Sequence, residues 1–323
     1  MEYKMKLHNN PTLFRQAIQA TAQMMGIREV YVEKDYWVTL VLEAIFTAEA
    51  KDYVVFKGGT SLSKCFGVIE RFSEDIDLVI SYDEAESDNS KNKKLRAVSN
   101  IVSGILEEID VDGVTVKRGM NRKTCHSYPK TLKGDFGQVR DYIVIEATWL
   151  GYFEPKTEVQ IESYIAQMMK ARQQDALIAE YEMTPFVVNA LCLERTFCEK
   201  IMSLIRFSYS ADPNQDLKMK IRHTYDIHML LQREEIVQFL HSDQFREMML
   251  KVREDDKRSY RNNNEWLEHP FEEALIFSDT VTVWTKLVDT YEHEFMGLVY
   301  GQPVDEQSVM QSLLVIANRL KEI

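Results

Sequence analysis

Cysteine is scarce in this chain, and the little there is forms no pattern. Cys65, Cys125, Cys192 and Cys198 are the whole complement in 323 residues, with no CxxC spacing among them. A chain of this size needs no disulfide framework, so reduced, buried thiols are expected. Long apolar runs are missing too: none approaches the ~20 residues of a membrane-spanning helix. The opening MEYKMKLHNN is polar and charged, unlike a secretory leader. A cytoplasmic protein with no membrane partner is expected. No internal repeat, low-complexity tract or linker rich in proline and glycine divides the sequence. Two common glycine-rich nucleotide signatures, the Walker A loop and Gly-x-Gly-x-x-Gly, are absent as well.

Positive charge is in deficit. A formal net charge of −12 argues at first against a nucleic-acid partner. The distribution is uneven, however. Between Lys91 and Lys133 stand ten Lys or Arg against four acids, a local +6 that leaves −18 for the rest. Solvated loop charge is one reading of that segment, and a phosphate-facing patch is the other.

What is present is ordinary core material, 45% hydrophobic residues with 28% charged, in a length that suits two domains. Helical spacing runs from Thr12 to Met25 and from Val32 to Thr47. Tyr36, Trp37, Leu40, Val41, Ala44 and Ile45 form one stripe on the second helix. YVVF at 53–56 is a buried-looking strand ending at Gly58-Gly59. Leu62, Cys65, Phe66 and Ile69 then follow a helical period. IDLVI at 76–80 and YIVIEATWL at 142–150 are strands, and VTV at 114–116 is a weaker one. EVQIESYI at 158–165 fits strand or helix equally. From about Leu191 helical patterns dominate. The plan is α+β: a mixed α/β domain over 1–190 and a helical domain over 191–323.

The chemistry concentrates in KGGTSLSKCFGVIERFSEDIDLVI, residues 57–80. Strand, Gly58-Gly59, Thr60-Ser61, helix is an order that suits an anion. Glycines let the backbone approach a phosphate, and a helix start offers unpaired N–H groups. Thr60 or Ser61 can cap that helix or turn a hydroxyl to a phosphate oxygen, and Lys64 can add charge. Alternation along the next strand places Asp75 and Asp77 on one face, with Ile76 and Leu78 on the other. Two such carboxylates repel unless a divalent metal joins them or a cation such as Arg71 holds one. Glu146, interrupting an apolar strand, is a candidate third metal ligand.

Gly-Gly-Thr-Ser followed by Asp-Ile-Asp resembles the DNA polymerase β-like nucleotidyltransferase superfamily. The fuller KGGTSLSK…RFSEDIDL is similar to its AbiEii/AbiGii-type toxin family. The resemblance implies a small mixed sheet with flanking helices, a helical C-terminal domain completing the active site, an NTP co-substrate and Mg²⁺ (or Mn²⁺). It implies metal ligation by Asp75 and Asp77, and triphosphate binding by Gly58, Gly59, Thr60 and Ser61. ERTFCEKI at 194–201 and RHTYDI at 222–227 extend it. By that resemblance Lys200 contacts nucleotide phosphates and Asp226 is a catalytic or positioning carboxylate. Periodicity alone puts Lys200 at the border of a buried face, and gives Asp226 an intrahelical partner in Arg222 or a positioned role. EKDYW at 33–37 also matches the family. Lys34 and Asp35 carry no catalytic step there, and buttressing of the glycine turn is the expectation.

A metal-dependent nucleotidyltransferase toxin is the function these expectations form, with a tRNA or other RNA 3′ end as acceptor and a cognate antitoxin as partner. A protein hydroxyl remains open as acceptor. The alternatives are a nucleotide-binding partner protein without turnover, and a metal-dependent nuclease using the same carboxylates.

Overall fold

A computed structural model describes residues 5–134, 136–260, 262 and 264–323. Two compact units share the chain. Unit 1 takes residues 1–65, 72–149 and 156–190, and unit 2 takes 66–71, 150–155 and 191–323.

Unit 1 begins with helices α1 (Pro11–Met25) and α2 (Glu29–Thr47). Strand β1 (Val54–Lys57) runs directly into helix α3 (Gly58–Lys64), and β2 (Ile76–Ile80) follows. Helix α4 (Asp88–Ser103) leads to β3 (Glu107–Ile109), β4 (Asn121–Ser127) and β5 (Tyr142–Thr148). The unit finishes with β6 (Lys156–Ile161), α5 (Tyr164–Ala171), α6 (Asp175–Glu180) and β7 (Phe186–Leu191). The strands form one seven-stranded mixed sheet in the order β3-β4-β5-β2-β1-β7-β6. Its centre is dry: Val54, Val55, Phe56, Ile76, Leu78 and Ile143 are fully buried. This is the expected mixed sheet with flanking helices.

Four expectations change in detail. VTV at 114–116 is not a strand and contributes only an isolated bridge from Val116 to Lys123. The helix after the glycines stops at Lys64, so Phe66 and Ile69 lie outside it. EVQIESYI proves to be both alternatives, strand to Ile161 and helix from Tyr164, capped by the Ser163 hydroxyl. The four cysteines are free thiols, but only Cys125 and Cys198 are buried while Cys65 and Cys192 are half-buried.

Helix α2 is buried on almost every side and carries Glu33, Lys34 and Asp35 inward, at 1%, 0% and 8% exposure. Buried charge persists only when partnered, and each of these has partners far along the chain. The Glu33 carboxylate accepts from the N–H groups of Thr131 and Leu132. Lys34 Nζ pairs with Glu74 at 2.9 Å and donates to the Tyr142 carbonyl at 2.6 Å. Asp35 holds Lys64 at 2.5 Å and accepts from the Tyr164 N–H at 2.7 Å.

Unit 2 is helical. Its elements are α7 (Leu193–Ser208), α8 (Pro213–Met219), α9 (Ile221–Leu230), α10 (Glu234–Leu240) and α11 (Asp243–Ser259). After them come α12 (Leu275–Ser278), α13 (Thr280–Asp289) and α14 (Glu306–Leu320). Helix α7 is the hub, packing on α8, α9, α11 and α12. Phe197, Ile201, Leu204 and Ile205 on α7 are at most 1% exposed, as are Phe245 and Met249 on α11. Among the described residues no helix is long and apolar enough to cross a membrane.

Candidate active site

Strand pairing brings the glycine turn and the acids of unit 1 together. β1 runs antiparallel to β2 with Lys57 opposite Asp77. β5 runs parallel to β2 with Glu146 opposite Asp77, and β4 sets Lys123 opposite Glu146. Residues paired across a sheet present their side chains to the same face. One charged row therefore crosses four strands in the order Lys123, Glu146, Asp77, Lys57. The opposite face of β2 carries Ile76 and Leu78, both at 0% exposure.

Each acid is attended by a cation or a close backbone. Lys123 Nζ lies 3.1 Å from Glu146, which also accepts from Asn121 Nδ2 at 3.2 Å. Asp75, just before β2, pairs with Arg140 Nη1. Asp77 lies against Gly58, whose φ is +77°. A methyl group placed on Gly58 would collide with the Asp77 carboxylate, with Cγ only 2.9 Å away. This glycine is required twice over, once by its backbone angle and once by that approach.

The hydroxyls of the turn face inward. Thr60 is 2% exposed and donates to the Asp75 carbonyl at 2.6 Å, with Ser73 Oγ 3.0 Å away. Ser61 is equally buried. Neither is the N-cap of α3, which is Lys57, and the Lys57 side chain makes no cap bond. Thr60 thus ties the turn to the acid-bearing segment. Lys64 is held by Asp35 and lies 5.2 Å from the Tyr164 ring centroid. The α2 charges buttress both parts, Asp35 through Lys64 and Lys34 through Glu74, the residue preceding Asp75. Burial pushes the Lys34 ammonium down and the Glu74 carboxyl up, and their mutual attraction only partly offsets this.

Asp75, Asp77 and Glu146 are hard oxygen donors on a half-exposed face, the chemistry that Mg²⁺ accepts. They are not drawn into a ready cluster. Among the described residues no three His, Cys, Asp or Glu side chains converge as a metal site. The cations on the same face balance them instead.

Unit 2 contains the other two expected residues, and it brings them together. Asp226 on α9 is fully buried, and Lys200 on α7 is 6% exposed. Lys200 Nζ lies 2.7 Å from Asp226 Oδ2. Arg71 grips the same carboxylate two-handed, Nε to Oδ1 and Nη2 to Oδ2, both at 2.7 Å. Burial would raise the Asp226 carboxyl, but Arg71 and then Lys200 overcome it and hold it far below the usual range. Of the two readings of Asp226, an intrahelical partner in Arg222 or a positioned role, the triad agrees with the second. Arg71 is the two-handed partner of Asp226, and the cation beside Asp75 is Arg140. The Arg71 backbone bridges to Val299, and the Tyr300 and Gly301 N–H groups bond to the Glu70 carbonyl. A saturated carboxylate of this kind positions its neighbours.

Sequence reasoning missed Lys57, Arg71, Lys123 and Arg140 as parts of these arrangements. Only Lys57 carried a local signal, since it directly precedes the glycines. The basic stretch 91–133 is also less free than its composition implies. Lys91 is caged by Tyr82 and Trp149, at 4.3 and 4.7 Å from their ring centroids. Lys94, Lys117, Lys123 and Lys130 pair with Glu86, Glu108, Glu146 and Asp141.

The sequence pattern described as nucleotidyl transferase AbiEii toxin, type IV toxin–antitoxin system, matches residues 40–297. No curated protein gives a match. Among solved structures the chain is similar to MenT4, a nucleotidyltransferase toxin from Mycobacterium tuberculosis. Identity is 16% and the TM-score 0.47, over 93% of this chain and 98% of that one. The chain belongs to the AbiEii nucleotidyl transferase toxin family.

Proposed function

With that membership as premise, we propose that the protein transfers a nucleotide from an NTP to the 3′-hydroxyl of an RNA acceptor, tRNA foremost, in a divalent-metal-dependent reaction. The observation that carries this reading is the Lys123–Glu146–Asp77–Lys57 row running up to the uncapped glycine turn. The backbone N–H groups at the start of α3 bind the triphosphate, and Gly58 keeps that approach open. Thr60 and Ser61 shape the turn from within. Asp75, Asp77 and Glu146 would hold Mg²⁺ or Mn²⁺, and the chemistry such an ion supplies is phosphate charge neutralisation and a more acidic attacking hydroxyl. Lys57, Lys123 and Arg140, balanced by acids without substrate, gain phosphate oxygens as partners when NTP arrives.

The acceptor oxygen forms a bond to the α-phosphorus, the bond to the β-phosphate oxygen breaks, and pyrophosphate leaves as the hydroxyl proton is lost. In unit 2 the part proposed for Lys200 is to offset phosphate charge, with Asp226 and Arg71 fixing its ammonium. A cognate antitoxin follows from the family. The cytoplasm, where NTP and tRNA occur, is the proposed place of action.

The test uses labelled NTPs, Mg²⁺ and total tRNA. Label should enter RNA, and Asp77→Ala should abolish transfer while leaving the far-UV spectrum unchanged. Undiminished transfer by Asp77→Ala overturns the role given to the acids, and label entering protein instead overturns the RNA acceptor.

A further inference from the structure

Away from the charged row, unit 1 has an open cleft of about 670 Å³. Arg15 of α1, Arg28 and Glu29 at the start of α2, and Thr131, Lys133 and Phe136 line it. Three cations face one carboxylate there, in a chain of net charge −12. Arg15 and Lys133 are exposed, and among the described residues no carboxylate pairs with either. A cleft whose described charged lining is mainly cationic suits an anion from outside.

The far wall is fixed. Glu33 takes the N–H groups of Thr131 and Leu132, while Arg28 donates to the Phe136 carbonyl at 3.4 Å and lies 5.2 Å from the Tyr31 ring centroid. Phe136 is half-buried and brings an aromatic ring to the lining. Spaced cations with an aromatic ring are what a single-stranded polynucleotide needs, charge for its phosphates and a surface for a base.

We propose that the cleft binds the phosphodiester backbone of a single-stranded polynucleotide, with Arg15 and Lys133 on its phosphates and Phe136 against a base. As the seat of the acceptor strand this rests on the nucleotidyl-transfer reading, but the binding itself does not. Lys133 and Arg140, the partner of Asp75, stand seven positions apart, and that length of chain spans at most ~25 Å. A strand held here is therefore in reach of the acids.

Fluorescence anisotropy with short labelled oligoribonucleotides and oligodeoxyribonucleotides tests this on the full chain. Wild type, Arg15→Ala, Lys133→Ala, Phe136→Ala and the double reversal Arg15→Glu/Lys133→Glu would be titrated between roughly 50 and 200 mM salt. Each lost cation should flatten the slope of log K against log salt by about 0.7. Charge reversal should weaken binding at least tenfold, and Phe136→Ala by about tenfold. Variants that bind with wild-type affinity and slope overturn the proposal. So does a wild-type protein that binds polyglutamate in place of either oligonucleotide. Stabilisation by Mg-NTP, read by thermal shift, should be unchanged in every variant. Its absence in wild type alongside cation-dependent strand binding would defeat the transfer reading and leave the cleft assignment standing.

Discussion

Asp226→Asn isolates the electrostatics of the buried triad from everything else, because asparagine keeps the shape of the side chain and opens no cavity. The wild-type carboxylate accepts three charge-assisted bonds at 2.7 Å, two from Arg71 and one from Lys200. The substitution leaves two cations in a site where Arg71 is 4% exposed and Lys200 6%. It also points an amide N–H at one of them. Each contact at ~3 Å is worth about 5 kcal/mol at an effective dielectric near 20 before desolvation is charged against it. Removing one partner of such a buried group costs about 3–5 kcal/mol net. That corresponds to a fall of roughly 6–20 °C in the melting temperature of a cooperative unit of this size.

Urea unfolding and amide exchange in α7 and α9 measure the effect. The sign with pH is fixed. A carboxylate whose folded pKa is depressed contributes stability that is fully present above its unfolded value, 3.8 here, and that is lost as pH falls through the folded value. The gap between wild type and variant should therefore be constant from pH 7 to 5. A triple change, Arg71→Met/Lys200→Met/Asp226→Leu, should recover most of the lost stability, because it removes all the charges together. A loss under about 1 kcal/mol in Asp226→Asn, or a triple variant no better than the single one, would refute the triad as a coupled unit.

Two more outcomes follow from single residues. Gly58→Ala places a side chain at φ +77° and into the Asp77 carboxylate, so it should cost about 1–2 kcal/mol in backbone strain alone and abolish thermal stabilisation by Mg-NTP. Retained stabilisation would show that nucleotide does not approach this turn. His223 sits below its ordinary 6.5 because burial, then Lys200 and Lys220, disfavour its charged form. It therefore takes up a proton on unfolding. Stability should fall as pH drops below 6.5, by up to about 1.4 kcal/mol per pH unit from this group. His223→Gln should reduce that slope by one proton's worth between pH 6.5 and 5, read from urea midpoints, and an unchanged slope refutes the assignment.

The parts of the fold legible in the sequence were those whose burial leaves an apolar trace. β1, β2 and β5 announce themselves as Val-Val-Phe, Ile-Asp-Leu-Val-Ile and Tyr-Ile-Val-Ile, and the adjacency of glycine turn and acids follows from them. β4 left no such trace. Its sequence NRKTCHS is polar, and its buried residues are Thr124, Cys125 and His126, so VTV nearby looked the better strand. α4 shows its short stripe of Leu95, Val98 and Val102 only in its second half, behind a polar first half, and β7 passed unnoticed before the helices. The charges of α2 were unreadable for another reason. Lys34 finds its carboxylate 40 positions away and Glu33 its amides nearly a hundred, and nothing local in a sequence marks such partners. The acids at 75, 77 and 146 were legible as a set, whereas the cations that balance them were not.

That balance bears on how the acids can exist at all. Carboxylates on adjacent strands, ~4.8 Å apart, repel by about 3.5 kcal/mol at an effective dielectric near 20. Asp77 and Glu146 are such a pair, and the row answers with a lysine strand on each flank while Arg140 attends Asp75. The row is thereby balanced without a ligand, two lysines standing against two acids. A triphosphate bound as proposed would bring several negative charges to the same face, where the cations would need only to exchange one anion for another. The alternative, a row of acids alone, would protonate or splay without a ligand, and would then repel the triphosphate it has to receive. Mixed charge on one strand register resolves both difficulties with residues that the pairing of β4, β5, β2 and β1 has already placed side by side.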